Sequence, residues 1–216
     1  MPQGRGTFPA GNSAFKITDL KYIIGEKQDN MKELIVFIDS GDTLVDESTE
    51  VRDENGTVQH CQLFDGAKET VLKLFEAGYT IALVADGKKE SFDNIYRQHG
   101  LSHCFAVRAI SEIVGVEKPS KLIFDDAMSR LSLTERDFGR IVMIGNNIKK
   151  DIVGANRLGI ISVLMSQSPR YNMHPKSREE TPDYVVSEPG ELFSLIEFLE
   201  MQLKNKKRLG MLQFNS

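Results

Sequence analysis

Asp39 closes a continuous apolar run, Leu34-Ile35-Val36-Phe37-Ile38, and opens a small polar turn, Ser40-Gly41-Asp42-Thr43. A run of that length reads as a buried parallel strand, and a carboxylate at its carboxyl end stands where such strands deliver reactive groups. The chemistry on offer is nucleophilic attack: an aspartate with a reference pKa of about 3.9 is ionised at neutral pH and needs no separate base. Two further stretches carry residues of similar promise. Pro119 disfavours the helical conformation for Lys118, which leaves the lysine extended at a helix start and able to turn inward. A second apolar run, Ile141-Val142-Met143-Ile144, ends in Gly145-Asn146-Asn147, and Asn147 and Asp151 share a face once the following helix begins. Each has an ordinary alternative: Asp39 as a strand end, Lys118 as a surface lysine, Asn146 or Asn147 as an N-cap, and Asp151 as an acid in a helix's first turn.

An alternation of strands and helices would position these residues. Apolar runs at 34–38, 80–84, 141–144, 160–165 and 184–186 predict strands, with a weaker pattern at 105–110. Apolar residues recur at helical spacing over 67–77, 91–98, 120–131, 149–158 and 191–203. The alternation predicts an α/β fold, a mostly parallel sheet with helices on both faces, and ligands at the carboxyl ends of the strands. Between Asp39 and the helix at Ala67, residues 49–60 form two extended arms around Asn55-Gly56, which predicts a short β-hairpin flap after the first strand.

Composition excludes several function classes. The 216 residues are 40% hydrophobic, enough for a large core, yet no apolar stretch approaches the roughly 20 residues that span a bilayer. Lys and Arg number 27 against 31 Asp and Glu, so the net charge of −4 gives no footprint for nucleic acid or an anionic membrane. Cys61 and Cys104 make neither a metal-type pair nor a disulfide framework, which predicts a reducing, cytoplasmic setting. Residues 1–30 lack the signal-peptide pattern and read as an N-terminal extension outside a core domain over 31–204, with a tail over 205–216.

Taken in order, these segments resemble the haloacid-dehalogenase-like hydrolase superfamily, from Leu34 to about Leu203. Asp39 within Phe37-Ile38-Asp39-Ser40-Gly41-Asp42-Thr43-Leu44 is similar to the family nucleophile, and Ala82-Leu83-Val84-Ala85-Asp86-Gly87 to its second motif. Lys118-Pro119 resembles the third motif, and Gly145-Asn146 through Asp151 the fourth. The resemblance implies a Rossmann-like three-layer sandwich and a phosphatase working through an aspartyl-phosphate on Asp39. It implies Mg²⁺ held by Asp39, the main chain of Gly41, Asn146 and Asp151. The ion and the Lys118 ammonium would offset the charge of the phosphoryl group, beside Ala85, Asp86 and Gly87. The substrate expected is a phosphorylated small molecule or macromolecule.

Three positions depart from the family pattern. Gly41 stands where active members place a second Asp that protonates the leaving group and later activates water, a role typically contributing roughly 10²- to 10⁴-fold. Asp42, one residue on, is the expected substitute. Ala85 lacks the hydroxyl usually offered to the phosphate, and Asp86 adds a negative charge beside it. Asn146 replaces an acid, which lowers the charge of the metal site. The chain has no room for a large cap domain, so the site is expected to be open unless a neighbouring subunit in a homo-oligomer covers it. The leading function is a Mg²⁺-dependent phosphatase. The alternatives are a catalytically silent relative that binds a phosphate compound or a protein partner, and a dehalogenase-type hydrolase, which would explain Gly41 but draws essential residues from a cap.

Overall fold

The central strand, β1 (Ile35–Ile38), is buried along its whole length, as a strand with helices on both faces must be. A computed structural model describes residues 32–168 and 170–213, so the extension expected over 1–30 lies outside the described residues. After β1 come a hairpin of β2 (Val45–Arg52) and β3 (Val58–Leu63), then α1 (Ala67–Glu76), β4 (Thr80–Ala85), α2 (Lys89–Gln98) and β5 (Val107–Ile110). A short α3 (Ser111–Val114) and α4 (Lys121–Arg130) lead to β6 (Ile141–Gly145), α5 (Val153–Leu158), β7 (Ile161–Met165), β8 (Tyr184–Val186) and α6 (Leu192–Gln213).

Six strands form one sheet in the order β5-β4-β1-β6-β7-β8, and every neighbouring pair is parallel. Side chains alternate across it. Val36 and Ile38 join Leu74, Ile95, Tyr96 and Ile196 in a core on one face, whereas Ile35 and Phe37 join Phe124, Ala127 and Ala155 on the other. The result is the three-layer, Rossmann-like α/β sandwich that the strand–helix alternation predicts. The chain steps outward from β1 through β4 to β5, then returns to the other side of β1 at β6. The reversal opens a crevice between the carboxyl ends of β1 and β6, the usual ligand position in such sheets.

Local chemistry accounts for the element boundaries. Ser120 caps α4 by accepting from Leu122 N, and Gly159 ends α5 with φ +73°, a left-handed turn that glycine adopts without steric cost. In the hairpin, Asp53 Oδ1 accepts from Asn55 N and Thr57 N at 3.0 and 2.8 Å, and Gly56 takes φ +76°. Among the described residues the insertion between β1 and α1 is this hairpin alone, with no cap domain.

Two elements differ from expectation. The helix predicted over 149–158 begins as a wide π-helical turn, Ile148–Ile152, capped by Asn147, and only then tightens into α5. Such turns occur frequently at functional sites. The last helix does not stop near Leu203: α6 continues to Gln213, so the segment expected as a tail is helical through most of its length. None of the described helices is long and apolar enough to cross a membrane.

Candidate active site

Asp39 lies at the crevice, and the chain around it is fixed by main-chain bonds. Its N–H donates to Ile144 O at 2.9 Å, holding the ends of β1 and β6 together. Ser40 O then accepts from Thr43, Leu44 and Val45 N–H at 3.2, 2.9 and 3.0 Å, which folds the chain tightly back into β2. The turn requires φ +50° at Asp42, a left-handed conformation that Asp tolerates better than most residues. Tyr96 Oη donates to Ser40 Oγ at 2.8 Å from beneath.

Lys118 joins the carboxylates. Its Nζ donates to Asp39 Oδ1 at 2.6 Å and to Val84 O at 2.8 Å, and lies 2.8 Å from Asp151 Oδ1. That last contact pairs the buried ammonium with a second buried carboxylate. The three residues are buried, with exposures of 8% for Asp39, 4% for Lys118 and 1% for Asp151. Burial opposes the Lys118 charge, but Asp151, Asp39 and Asp86 outweigh it and hold the ammonium's pKa well above its ordinary value. For Asp151 burial prevails: despite the nearby Lys118, its carboxyl is raised above the usual range, with the Asp39 charge adding to the effect.

The fourth segment arrives from β6. Asp151 Oδ2 accepts from Asn147 N at 2.9 Å, and the side chain folds over Gly145, where an added Cβ would lie 2.2 Å from Oδ2 and 2.3 Å from Cγ. Gly145 is therefore required by close approach. Asn147 serves as the cap, accepting from Lys149 N and Lys150 N at 3.0 and 3.3 Å. Asn146 is buried beside it, and its Nδ2 has no partner.

Residues of the second segment are more engaged than their sequence suggests. Asp86 Oδ1 accepts from Lys118 N at 3.0 Å and Oδ2 from Lys150 Nζ at 2.9 Å, so the charge expected to oppose a phosphate has a local partner. Gly87 donates its N–H to Ser111 Oγ at 2.9 Å, so that main-chain donor is already committed. Ala85 is buried at the end of β4 and contributes no hydroxyl.

The flap region holds what the sequence reading missed. Asp42, the expected substitute acid, accepts from Glu47 N at 3.3 Å through Oδ1 and pairs with Arg170 Nε through Oδ2. The carboxylate lying against Gly41 belongs instead to Glu47: a Cβ built on Gly41 would sit 1.7 Å from Glu47 Oε1. Glu47 Oε2 pairs with Arg170 Nη1 at 2.7 Å. Burial lifts the Glu47 carboxyl above its ordinary pKa; Arg170 pulls it down, while Asp42, Glu50 and Asp39 push it up. The period-2 pattern of the hairpin was the available signal, since Glu47 shares a face with the buried Val45.

The site is also less open than the missing cap implied. The segment after β7 reaches it through Arg170 and through Gln167 Nε2, which donates to Thr43 O at 3.0 Å. The hairpin is tied down on α2: Gln98 brackets Cys61 with bonds of 2.7 and 3.2 Å, and Ser91 Oγ and Asn94 Nδ2 bond the main chain of Val58, each at 2.9 Å.

Known proteins resemble this chain over part of its length. The chain is 32% identical over 128 residues to a glyceraldehyde 3-phosphate phosphatase of Methanopyrus kandleri, covering 59% of this chain and 53% of that protein. It is 29% identical over 133 residues to the protein of the same name in Pyrococcus furiosus, covering 61% and 53%. The chain thus spans about half the length of the curated relatives it matches. Among solved structures, a HAD-hydrolase of Bacillus subtilis bound to magnesium superposes with a TM-score of 0.55 at 25% identity, over 62% of this chain and 56% of that one. A Listeria monocytogenes protein shares the fold over 78% of this chain and 99% of its own, with a TM-score of 0.59 at 23% identity. The sequence model of the haloacid dehalogenase-like hydrolases matches residues 11–159, and the chain belongs to that family.

Proposed function

We propose that this protein is a Mg²⁺-assisted phosphatase in which Asp39 attacks phosphorus and carries the phosphoryl group as an aspartyl-phosphate. One observation carries the reading: a single buried ammonium, Lys118 Nζ, lies 2.6 Å from Asp39 and 2.8 Å from Asp151 at the crevice between β1 and β6. Lys118 orients the nucleophile and offers positive charge where the phosphoryl oxygens would gather. Thr43 Oγ1, 3.3 Å from Asp39 Oδ2, helps fix the carboxylate's rotation. The relatives named as glyceraldehyde 3-phosphate phosphatases support a phosphorylated small molecule as substrate.

Magnesium suits the donor set. Asp39 and Asp151 supply two hard anionic oxygens, and the amide oxygen of the buried Asn146 would add a neutral one. No group of three or more His, Cys, Asp or Glu side chains suited to a metal is present among the described residues. Mg²⁺ accepts so small a protein contribution because it usually keeps several waters. When bound, it would supply Lewis-acid stabilisation of phosphoryl oxygen. Two buried free thiols, Cys61 and Cys104, support the cytoplasmic address in this proposal.

A second reading, a silent relative that binds a phosphate compound without turning it over, draws on Ala85 and on the Gly87 N–H already given to Ser111. The two readings separate on an aryl phosphate with and without Mg²⁺, using the wild type and Asp39→Asn. Metal-dependent phosphate release that the substitution abolishes supports the phosphatase. Binding without release by the wild type supports the silent relative, and equal release by both proteins contradicts the nucleophile.

A further inference from the structure

Gly41 is not an empty position. A side chain there would collide with Glu47, whose Oε1, Cδ and Cγ lie 1.7, 2.7 and 3.2 Å from where its Cβ would stand. The space next to the nucleophile's turn is therefore filled by a carboxyl group, delivered from β2 rather than from the turn itself. The delivery is built into the fold. Asp42 N donates to Val45 O at 2.7 Å, Asp42 Oδ1 receives Glu47 N at 3.3 Å, and Arg170 Nη1 holds Glu47 Oε2 at 2.7 Å. With Oε2 tied to Arg170, Oε1 is the oxygen turned toward Gly41.

We propose that Glu47 is the general acid and base of the phosphatase reaction, doing from the hairpin what no side chain at position 41 can do. The inference rests on the phosphatase reading above. In the first step an Asp39 oxygen bonds to phosphorus, the bond from phosphorus to the leaving oxygen breaks, and Glu47 gives its proton to that oxygen. In the second step Glu47 takes a proton from water while the water oxygen bonds to phosphorus. The acyl-phosphate P–O bond then breaks, which regenerates Asp39 and frees inorganic phosphate. Asp42 is less suited, since both of its oxygens are already engaged by Glu47 N and Arg170.

The test compares leaving groups. Wild type, Glu47→Gln and Asp39→Asn are assayed with p-nitrophenyl phosphate, whose leaving group departs without a proton, and with glycerol phosphate, whose alkoxide does not. For Glu47→Gln the expected result is a nitrophenol burst within about threefold of wild type, with turnover of glycerol phosphate reduced by about 10²-fold or more. Gly41→Ala should reproduce this pattern with Glu47 intact, because its Cβ must push the carboxyl aside. Equal rates for Glu47→Gln and wild type, or equal losses on both substrates, overturn the role of Glu47 alone, provided Asp39→Asn is inactive. An active Asp39→Asn, or a wild type inert toward both substrates, overturns the phosphatase reading and this inference with it.

Discussion

Lys118 and Asp151 are paired: Nζ lies 2.8 Å from Asp151 Oδ1 and also donates to Asp39 Oδ1 and Val84 O. The ammonium is thus shared by both carboxylates and the end of β4, and Asp151 is held in addition by the Asn147 N–H. Two buried carboxylates share one buried counter-charge, which makes the cluster sensitive to any change in that charge.

Lys118→Met removes the counter-charge that the buried Asp39 and Asp151 carboxylates share. Breaking a buried pair in this way typically costs about 3–5 kcal/mol. Urea unfolding in metal-free buffer should show a loss of that order together with loss of phosphatase activity; a change under about 1 kcal/mol would contradict the electrostatic account.

Gly145→Ala places a methyl group on the Asp151 carboxyl, 2.2 Å from Oδ2. Displacing a ligand's support commonly weakens metal affinity by about 10- to 100-fold. The Mg²⁺ concentration for half-maximal activity should rise by that factor, and an unchanged requirement would remove Asp151 from the proposed metal site.

Glu200 ties the last helix to the first strand. Its Oε2 accepts from Leu34 N at 2.9 Å and its Oε1 from Glu33 N at 3.1 Å, just before β1 begins. Glu200→Ala leaves these amides without their acceptor, at a cost of roughly 1–3 kcal/mol. Glu200→Gln, with one oxygen retained, should fall between Ala and wild type in chemical denaturation; equal stability of all three would contradict the anchor.

Cys61 sets a pH dependence. Burial, followed by the charges of Glu50 and Asp46, pushes its thiol up to about 11 from an ordinary value near 9. The folded state holds its proton longer than the unfolded chain does, so stability is unaffected below pH about 9 and falls as pH rises from there toward 11. Cys61→Ala should lack this component of the alkaline decline; parallel denaturation midpoints for the two proteins between pH 8 and 11 would contradict it.

The fold was legible because its signals were local. β1, β4 and β6 are wholly or almost wholly buried strands, and uninterrupted apolar runs announce such strands directly. The convergence of Asp39, Lys118 and Asp151 follows from the same pattern, since each stands at a strand end or helix start on one edge of a parallel sheet. What stayed hidden depends on the path of the chain. Glu47 reaches Gly41 only because three N–H groups converge on Ser40 O and turn β2 back over β1. Arg170 joins Asp42 and Glu47 from a segment more than a hundred residues away, and Ser111 takes the Gly87 N–H from beyond β5. Helical spacing likewise could not distinguish the π turn at Ile148–Ile152 from ordinary helix, because both place apolar residues inward.

The most direct measurement is acid quenching of the wild type during turnover of an aryl phosphate with Mg²⁺, followed by peptide mass analysis. One phosphoryl group is expected on the peptide bearing Asp39, lost on hydroxylamine treatment, with no adduct in Asp39→Asn. Phosphate release with the adduct on another residue, or continued release by Asp39→Asn, would contradict this expectation.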